Sequence, residues 1–595
     1  MRRAIAIGVL AVFLAAALSA QVTVDSVRRA GITLDWGVKI PMPDGSTLSA
    51  NVYRPQSGGR VPGLFYMTPY IADLTHARGM YFARNGYVFV AVNTRGRGDS
   101  PGKLEPFVHE AAEGHAITEW LAKQPYTDGQ VAMWGGSYGG FSQWAAASRK
   151  PAALRTIVPV ASAHPGVDFP FLRNIWRSYT IQWQTYTSGS SAQTNLFYDP
   201  EFWTEKYLAR YMDHLPFASY DSIVGNRTTL FQDWIAHQVP EAYWDRMNPT
   251  DAEMAGIDLP ILTITGYFDG DQLGAMDYYH THLRNASPSA KAKHYLILGP
   301  WDHPGTRTPV KGIGGLSFGE ASLIDMNRLH KEWYDWVMKG GSKPAFLEKR
   351  VAYWVMGAER WKYADDLESI SDSTLRLHLD SRDGKANDIF ASGVLTPAPA
   401  TGTVPDSYRY DPRDTRPAAN QINPRADYYL DQREAVDLFG QGVVYHTAPF
   451  TAATEVTGIP RLTVWLETDV PDTDVELTLD EVRTDGSVIR LSNEMMRLRY
   501  RESLRQAKPM TPGVAAKVTF DHGMFFSREI AAGSRIRMVI KALNSIAWQK
   551  NYNSGGDVMR ETARDARTAT VRIHHDASRP SMLELPVVRR RVLSP

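Results

Sequence analysis

The stretch "MWGGSYGGFSQWAAA", residues 133–147, places four glycines around Ser137, between an apolar run and a helix-like run. Residues 135–139 fit the pattern Gly-x-Ser-x-Gly, in which a strand turns sharply into a helix and leaves the serine at the apex. Small residues are needed there because the two backbones crowd together at the corner. The stretch therefore predicts either a simple tight turn or a nucleophile held on a strained corner.

A second copy of the pattern shows that the glycines alone do not decide between these readings. Residues 315–319 also fit Gly-x-Ser-x-Gly, with Ser317 at the centre. Ser137 follows an apolar strand predicted at 131–134 and precedes a helix-like run, whereas Ser317 follows "TPVKGIGG", which is not strand-like. Ser317 also comes after every acidic partner that the sheet region offers. This context favours Ser137 as the nucleophile.

Strands and helices alternate through the first 350 residues. After a hairpin at 34–53, buried-type strands are predicted at 61–70, 86–96, 154–162, 259–270 and 293–303, and helices at 72–85, 110–123 and 320–339. Continuously apolar strands suit parallel sheets that are covered on both faces. The alternation therefore predicts an α/β unit with a doubly wound, mostly parallel sheet.

Two segments depart from this alternation. Residues 164–258 are rich in Trp, Tyr and Phe and are predicted to form a mostly helical cap insertion without a clear strand. Beyond residue 351, short alternating strands and turn dipeptides predict a β-sandwich, with a long surface loop at 396–423. We therefore expect a catalytic unit at 21–350, with the cap at 164–258, and a C-terminal β domain at 351–595.

The composition excludes several classes of function. The chain has 595 residues, a net charge of +1 and no cysteine. A balanced charge gives no electrostatic support for nucleic-acid binding. The lack of cysteine excludes disulfides, thiolate metal sites and a cysteine nucleophile. No close pattern of His, Asp or Glu ligands appears in the sequence, so neither a metal nor another cofactor is expected.

The N-terminus has the pattern of a signal peptide. Arg2 and Arg3 precede an apolar run at 4–18, and small residues follow at Ser19 and Ala20. The run is short for a membrane span, so we expect an exported protein, periplasmic or secreted, without stable membrane insertion. An uncleaved N-terminal anchor is the alternative. The sequence leaves open whether the protein forms a homo-oligomer.

A serine hydroxyl needs a base, and the base needs a group that orients it. In doubly wound hydrolases the partners follow in the order Ser, Asp or Glu, His, at the ends of strands. Asp269 ends the strand predicted at 259–270, and His303 ends the next strand. Ser137, His303 and Asp269 are therefore the predicted nucleophile, base and orienting acid. Asp271 and Asp302 are the nearest alternatives for the acid.

The oxyanion formed during acyl transfer needs preorganised hydrogen-bond donors. The backbone N–H of Tyr138, which follows the nucleophile, is one expected donor. Tyr70 lies at the end of the strand predicted at 61–70, where its phenol can supply the second hydrogen bond. From spacing alone, the alternative for Tyr70 is a packed aromatic side chain.

Five motifs in order resemble one family. They are Thr68-Pro69-Tyr70, "GYVFVAVNTRGRGDSPG", "EWLAKQPYTDGQVAMWGGSYGG", "GYFDG" and "GPWDHPG", and the C-terminal "LRYRESL" and "NYNSGG" are similar to the β domain of that family. It is the cocaine esterase and X-Pro dipeptidyl-peptidase family, which includes α-amino acid ester hydrolases and glutaryl acylases. The resemblance covers nearly the whole mature chain. It implies an α/β-hydrolase with a helical cap and a C-terminal jelly roll, the triad Ser137, Asp269 and His303, and Tyr70 as an oxyanion donor.

The resemblance leaves the substrate open. It implies a small-molecule ester or amide, cleaved through an acyl-enzyme. In α-amino acid ester hydrolases, a carboxylate cluster holds the ammonium group of the substrate. Asp271 and Asp168 match that cluster, but Gln272 stands where a second acid would follow, so the match is partial. Solvated or helix-capping roles are the alternative for both acids. Trp301, two residues before His303, is a further candidate for substrate binding.

Three other functions stay open. The first is an α-amino acid ester hydrolase or acyltransferase that acts on aminoacyl or β-lactam side-chain esters. The second is a dipeptidyl-peptidase, although this chain starts almost directly at the hydrolase unit, without the additional N-terminal elements of the full peptidases. The third is a catalytically weak carbohydrate-binding protein, since the predicted sandwich is similar to carbohydrate-binding modules.

Overall fold

The structure is a computed structural model that describes residues 31–387, 392–421, 427–432 and 439–589. The segment predicted as a signal peptide lies outside these residues. Within the described ranges, no helix is both long enough and apolar enough to cross a membrane.

The first part of the chain forms a ten-stranded sheet and two short hairpins. Its strands are β1 (Ile32–Pro41), β2 (Thr47–Pro55), β3 (Val61–Thr68), β4 (Val88–Asn93), β5 (Thr127–Ser137), β6 (Leu154–Ser162), β7 (Phe171–Leu172), β8 (Ile175–Trp176), β9 (Ile261–Phe268), β10 (His294–Asp302), β11 (Gly312–Ile313), β12 (Leu316–Ser317), β13 (Val351–Val355) and β14 (Arg360–Ala364). The order in the sheet is β1-β2-β4-β3-β5-β6-β9-β10-β13-β14, and β7–β8 and β11–β12 are the hairpins. From β4 to β13 all neighbours are parallel, whereas both edges of the sheet are antiparallel.

Helices cover both faces of this sheet. They are α1 (His76–Arg84), α2 (Glu110–Ala122), α3 (Tyr138–Ser148), α4 (Tyr179–Tyr186), α5 (Thr194–Phe197), α6 (Pro200–Met212), α7 (Tyr220–Ile223), α8 (Thr229–Ala236), α9 (Ala242–Asp245), α10 (Asp251–Ala255), α11 (Gln272–Asn285), α12 (Pro288–Ala292) and α13 (Met326–Lys339). One core contains Phe89 of β4 with residues of α1 and α13, and the other contains Val90 with residues of α2 and α3. Because successive residues of β4 pack into opposite cores, the strand is apolar throughout, as a doubly covered parallel strand requires.

The C-terminal part of the chain is a β-sandwich. Its strands are β15 (Ser373–Asp380), β16 (Gly393–Thr396), β17 (Asp406–Tyr410), β18 (Gly442–Thr447), β19 (Thr454–Gly458), β20 (Arg461–Thr468), β21 (Asp474–Val482), β22 (Val488–Arg497), β23 (Ala516–Phe520), β24 (Phe526–Ile530), β25 (Arg535–Ala542), β26 (Ala569–His574) and β27 (Met582–Val588). All described pairings are antiparallel except β16 with β18. The core of this domain continues into the first unit through Tyr267, Met276 and Leu296. The chain is therefore an α/β-hydrolase fold with a cap insertion and a C-terminal β-sandwich.

Four sequence-based boundaries differ from the structure. The first sheet continues through β13 and β14, past the predicted limit at 350, because the apolar run of β13 pairs in parallel with β10. The helix predicted from 320 begins at Met326, where the Asp325 carboxylate accepts the Arg328 N–H and caps it. The predicted loop at 396–423 contains β17, and the cap contains the hairpin β7–β8.

Candidate active site

Ser137 stands on a strained corner. It is the last residue of β5 and directly precedes α3, with φ 61° and ψ −122°. A positive φ is unfavourable for a residue with a Cβ, and such residues cluster at functional sites. A Cβ on Gly140 would lie 2.8 Å from the Val160 carbonyl oxygen of β6, so the helix can pack this closely only because a glycine stands there.

Asp269 and His303 form a hydrogen-bonded pair. Asp269 follows β9 and His303 follows β10, and these neighbouring parallel strands end at the same edge of the sheet as β5. His303 Nδ1 lies 2.7 Å from Asp269 Oδ1. The Asp269 carboxylate is fully buried and also accepts hydrogen bonds from the Thr265 hydroxyl (2.9 Å) and the Asp271 N–H (3.0 Å).

The environment of Asp269 favours its ionised form. Burial by itself raises the pKa of this carboxyl group, but the attraction and hydrogen bond of His303, with the hydrogen bonds from Asp271 and Thr265, lower the pKa below its ordinary value. The carboxylate is therefore held as an acceptor for the imidazole. Asp302, one of the two predicted alternatives for the orienting acid, instead accepts the Gly305 N–H (2.8 Å) and closes the following turn.

The Tyr70 phenol lies between Ser137 and the cap. Its oxygen accepts a hydrogen bond from the Trp183 indole N–H of α4 (3.0 Å), and its ring stacks on Tyr186 with centroids 5.4 Å apart. The phenol also faces the Ser137 side chain. Burial raises the pKa of Tyr70, so the hydroxyl keeps its proton. Because the oxygen already accepts from Trp183, the O–H remains free to donate.

Tyr138 has its backbone N–H at the start of α3, where the first N–H groups have no intrahelical partner. Its phenol is held by two hydrogen bonds: it accepts the Phe107 N–H (3.0 Å) and donates to the buried Glu110 carboxyl group. Burial raises the pKa of Glu110 to about 8, although the Tyr138 hydrogen bond lowers it. No sequence motif marks Glu110, because its contact with Tyr138 is set by the packing of α2 on α3.

Asp168 and Asp271 lie beside each other near this edge. Asp168 is fully buried, and its two oxygens accept the His164 N–H and the Gly274 N–H, each at 2.8 Å. Asp168 therefore caps the N-terminus of α11 from the start of the cap insertion. Burial and the Asp271 charge raise the pKa of Asp168, while the charge of Arg177 opposes this rise.

Asp271 directly precedes α11 and stands 3.7 Å from His303 Nδ1. Burial raises the pKa of Asp271, and the Asp269 charge adds to this effect. His303, Arg177 and Arg307 lower it. No sequence motif marks either arginine, because both reach this edge only through the tertiary fold.

The side chains of Trp301 and Gln272, which are close in sequence to the predicted site residues, point away from the site. Trp301 is 1% exposed and packs in the sheet core against Trp361, with ring centroids 5.7 Å apart, so its indole has no surface left for a substrate. The burial therefore gives no support to the prediction that Trp301 binds substrate. The Gln272 amide donates to the Gly266 and Phe525 carbonyls and accepts the Phe525 N–H, so it joins α11 to the β-sandwich.

The second Gly-x-Ser-x-Gly copy has a different structure. Ser317 is exposed at the end of the short strand β12, and a three-residue 3-10 helix (Glu320–Ser322) rather than a long α-helix follows it. Among the described residues, no group of three or more His, Asp or Glu side chains is arranged to hold a metal ion.

Two segments of the chain match models of X-Pro dipeptidyl-peptidases. Residues 44–305 match the X-Pro dipeptidyl-peptidase (S15) family, and residues 345–584 match the C-terminal non-catalytic domain of X-Pro dipeptidyl-peptidases. The chain belongs to this family of serine hydrolases. A cocaine esterase from Rhodococcus sp. (strain MB1 Bresler) is 27% identical over 588 residues, which are 93% of this chain and 98% of the esterase.

Solved structures share the fold. An aminopeptidase from a marine sediment archaeon, Thaumarchaeota archaeon, has a TM-score of 0.81 at 20% identity, covering 94% of this chain and 97% of its own. An α-amino acid ester hydrolase has a TM-score of 0.80 at 20% identity over the same shares. With the family membership and the esterase relative, the chain is a serine hydrolase of the carboxylic ester hydrolase class.

Proposed function

We propose that this protein hydrolyses carboxylic esters of small molecules through an acyl-enzyme on Ser137, with His303 as the base and Asp269 as its orienting acid. The observation that carries the proposal is the hydrogen bond between the buried Asp269 and His303 (2.7 Å) at the sheet edge where the strained Ser137 corner also lies. The curated relative named a cocaine esterase supports esters as the substrate class.

The proposed reaction has two halves. His303 takes the Ser137 proton as Oγ attacks the ester carbonyl carbon, and Asp269 holds the imidazole in the tautomer that accepts this proton. The tetrahedral intermediate collapses, the bond to the leaving oxygen breaks, and His303 returns the proton to that oxygen. Water then attacks the acyl-enzyme by the same route and releases the acid and free Ser137.

The developing oxyanion accepts two hydrogen bonds in this proposal, from the Tyr70 O–H and the Tyr138 N–H. The Trp183 N–H fixes the Tyr70 oxygen, and Glu110 and the Phe107 N–H fix the Tyr138 ring. Donors that are already oriented need no reorganisation when charge develops, and this makes them effective.

An α-amino acid ester hydrolase needs a site that binds the ammonium group of the substrate. The contacts of Asp168, Asp271 and Gln272 weigh against such a site here. Both Asp168 oxygens are already accepting backbone N–H groups, and Gln272 is bonded to the β-sandwich. Arg177 also lies close enough to lower the pKa of both Asp168 and Asp271. A cationic substrate group would have to compete with that guanidinium.

No specific contact favours the two remaining alternatives, a dipeptidyl-peptidase and a carbohydrate-binding protein. We keep esters as the proposed substrates, with amides as a slower class.

Export is part of the proposal and rests on residues 1–20 alone. N-terminal sequencing of protein recovered from the periplasm or the medium is expected to start near Gln21. Recovery in the cytoplasm of a chain that still carries residues 1–20 would contradict export.

The duplicated motif provides a matched control for the nucleophile. A fluorophosphonate probe is expected to label wild type and Ser317→Ala but not Ser137→Ala. Ester turnover in Ser137→Ala is expected to fall by roughly 10⁴–10⁶, as for other triad serines. Labelling that survives in Ser137→Ala would overturn the assignment.

A further inference from the structure

Arg307 brings a guanidinium to the edge of the proposed active site without an acceptor for it. Its Nη1 is buried and has no hydrogen-bond partner among the described residues. Within the same residues, no carboxylate lies within ion-pair distance of its guanidinium, although Asp271 is near enough for Arg307 to lower its pKa. A buried charged donor that lacks an acceptor is costly, so its retention calls for a ligand that supplies one.

The guanidinium lies against Gly136, the residue before the proposed nucleophile Ser137. A Cβ built on Gly136, the residue before Ser137, would stand 2.8 Å from Arg307 Cδ and would overlap Nη1. Only a glycine at 136 therefore leaves room for the side chain in this place. Arg307 is also close to Tyr66. Burial raises the pKa of Tyr66, and the positive charge of Arg307 opposes this rise.

The backbone around Arg307 is held firmly. Its N–H donates to the Pro304 carbonyl (3.1 Å), and its own carbonyl accepts from Arg78 Nη2 (2.9 Å). The Thr306 hydroxyl donates to the His303 carbonyl (2.7 Å), so one rigid turn carries both His303 and Arg307. Because the backbone of the turn is fixed, less freedom is lost when the Arg307 side chain binds a ligand.

The turn also indicates which part of a substrate meets Arg307. In the proposed mechanism, His303 returns its proton to the leaving oxygen, so the leaving group lies next to the imidazole. Arg307 is four residues further along the same turn. The aromatic groups of the cap, Trp183 and Tyr186, instead contact Tyr70.

We infer that Arg307 recognises a carboxylate on the leaving group, and that the preferred substrates are esters whose alcohol or phenol part is anionic. The planar guanidinium fork matches a carboxylate with two parallel hydrogen bonds. The negative charge of the nearby acids is partly offset, since Asp168 accepts two backbone N–H groups and the charge of Arg177 acts on both Asp168 and Asp271. This inference rests on the proposed function and narrows its substrate class.

Two esters with the same acyl group test the inference. They are 4-(butanoyloxy)benzoate, with an anionic leaving group, and 4-(butanoyloxy)benzamide, its neutral counterpart. The two esters differ only in the leaving group, so a difference between their kcat/KM values reports how the leaving group affects the acylation step. Arg307→Gln is expected to lower kcat/KM for the benzoate ester by roughly 10–100-fold, the range of a charged hydrogen bond, and for the benzamide ester by less than about 3-fold.

Two further variants control for charge and for folding. Arg149→Gln removes an arginine at the far end of α3, where 55% of its side chain is exposed, and is expected to leave both esters unaffected. Arg307→Lys keeps the charge without the fork and is expected to fall between wild type and Arg307→Gln. Thermal unfolding of each variant reports whether it folds.

Each outcome decides the inference. Equal losses on both esters in folded Arg307→Gln, or no loss on either, would overturn the role of Arg307 while leaving the esterase proposal intact. If wild type hydrolyses neither ester and Ser137 takes no fluorophosphonate label, the esterase proposal fails, and this inference fails with it.

Discussion

At the scale of single residues, the site depends on side chains whose polar atoms are already committed. Asp269 is buried and accepts three hydrogen bonds, so its position and charge state are set before any substrate arrives. Tyr70 is held by Trp183 and Tyr186, which leaves its O–H as the one free donor of the phenol. Such preorganisation is the main source of electrostatic catalysis.

The hydroxyl of Tyr70 provides the prediction at this scale. Tyr70→Phe removes the O–H but keeps the stacked ring, so kcat is expected to fall by roughly 10²–10³ with a small change in KM. Steady-state hydrolysis of a butanoate ester measures this. Tyr186→Phe, which alters the stacked neighbour, is the control and is expected to keep near-normal kcat. A Tyr70→Phe enzyme with wild-type kcat would remove Tyr70 from the oxyanion site.

At the scale of elements, the ends of three strands and the start of two helices meet at one edge. β5 turns into α3 at Ser137, and β9 turns into α11 just after Asp269. The N-terminus of α11 is capped by Asp168 from the cap insertion, while Asp271, directly before the helix, makes no side-chain cap. The insertion therefore helps to position the loop that carries Asp269 and Asp271.

The capping role of Asp168 makes a prediction that differs from substrate binding. Asp168→Asn weakens the hydrogen bonds to His164 and Gly274 and is expected to lower the free energy of unfolding by about 1–3 kcal/mol. Chemical denaturation measures the change. The preference between phenylglycine methyl ester and methyl phenylacetate is expected to stay the same. A loss of preference for the amine without a loss of stability would instead place an ammonium site at Asp168.

At the scale of the whole molecule, the β-sandwich holds the cap. Arg497 is 2% exposed, pairs with Asp474 through two 2.9 Å hydrogen bonds, and donates to the Asn174 carbonyl in the turn of the cap hairpin (2.9 Å). The motifs "LRYRESL" and "NYNSGG" lie beside this contact: the Asn174 side chain donates to the Leu504 carbonyl, and Asn551 donates to Asp474. The C-terminal motifs therefore serve the docking of the cap.

The buried Arg497–Asp474 pair leads to a prediction about how the cap depends on the β-sandwich. Arg497→Met leaves Asp474 buried without its cation and is expected to cost about 3–5 kcal/mol of stability. Limited proteolysis is expected to cut the cap faster, and ester turnover is expected to fall. The matched control is Arg376→Met, whose exposed pair with Glu584 is worth less than about 1 kcal/mol. Unchanged proteolysis of the cap would contradict the docking role.

Apolar periodicity and glycine corners are local properties of the chain, so they are enough to predict the α/β-hydrolase core. The same local patterns favour Ser137 over Ser317 as the nucleophile, and they predict Asp269, His303 and Tyr70 close to strand ends, where the structure has them. Boundaries were less certain from sequence, because β13 looks like any apolar strand until it pairs with β10.

Which side chains face the site depends on the tertiary structure. In it, Trp301 is buried in the core, Gln272 contacts the β-sandwich, and Arg177 and Arg307 lie close enough to Asp271 to lower its pKa. The physical reason is that secondary structure follows from neighbours along the chain, whereas burial, hydrogen-bond partners and local charge depend on residues hundreds of positions apart.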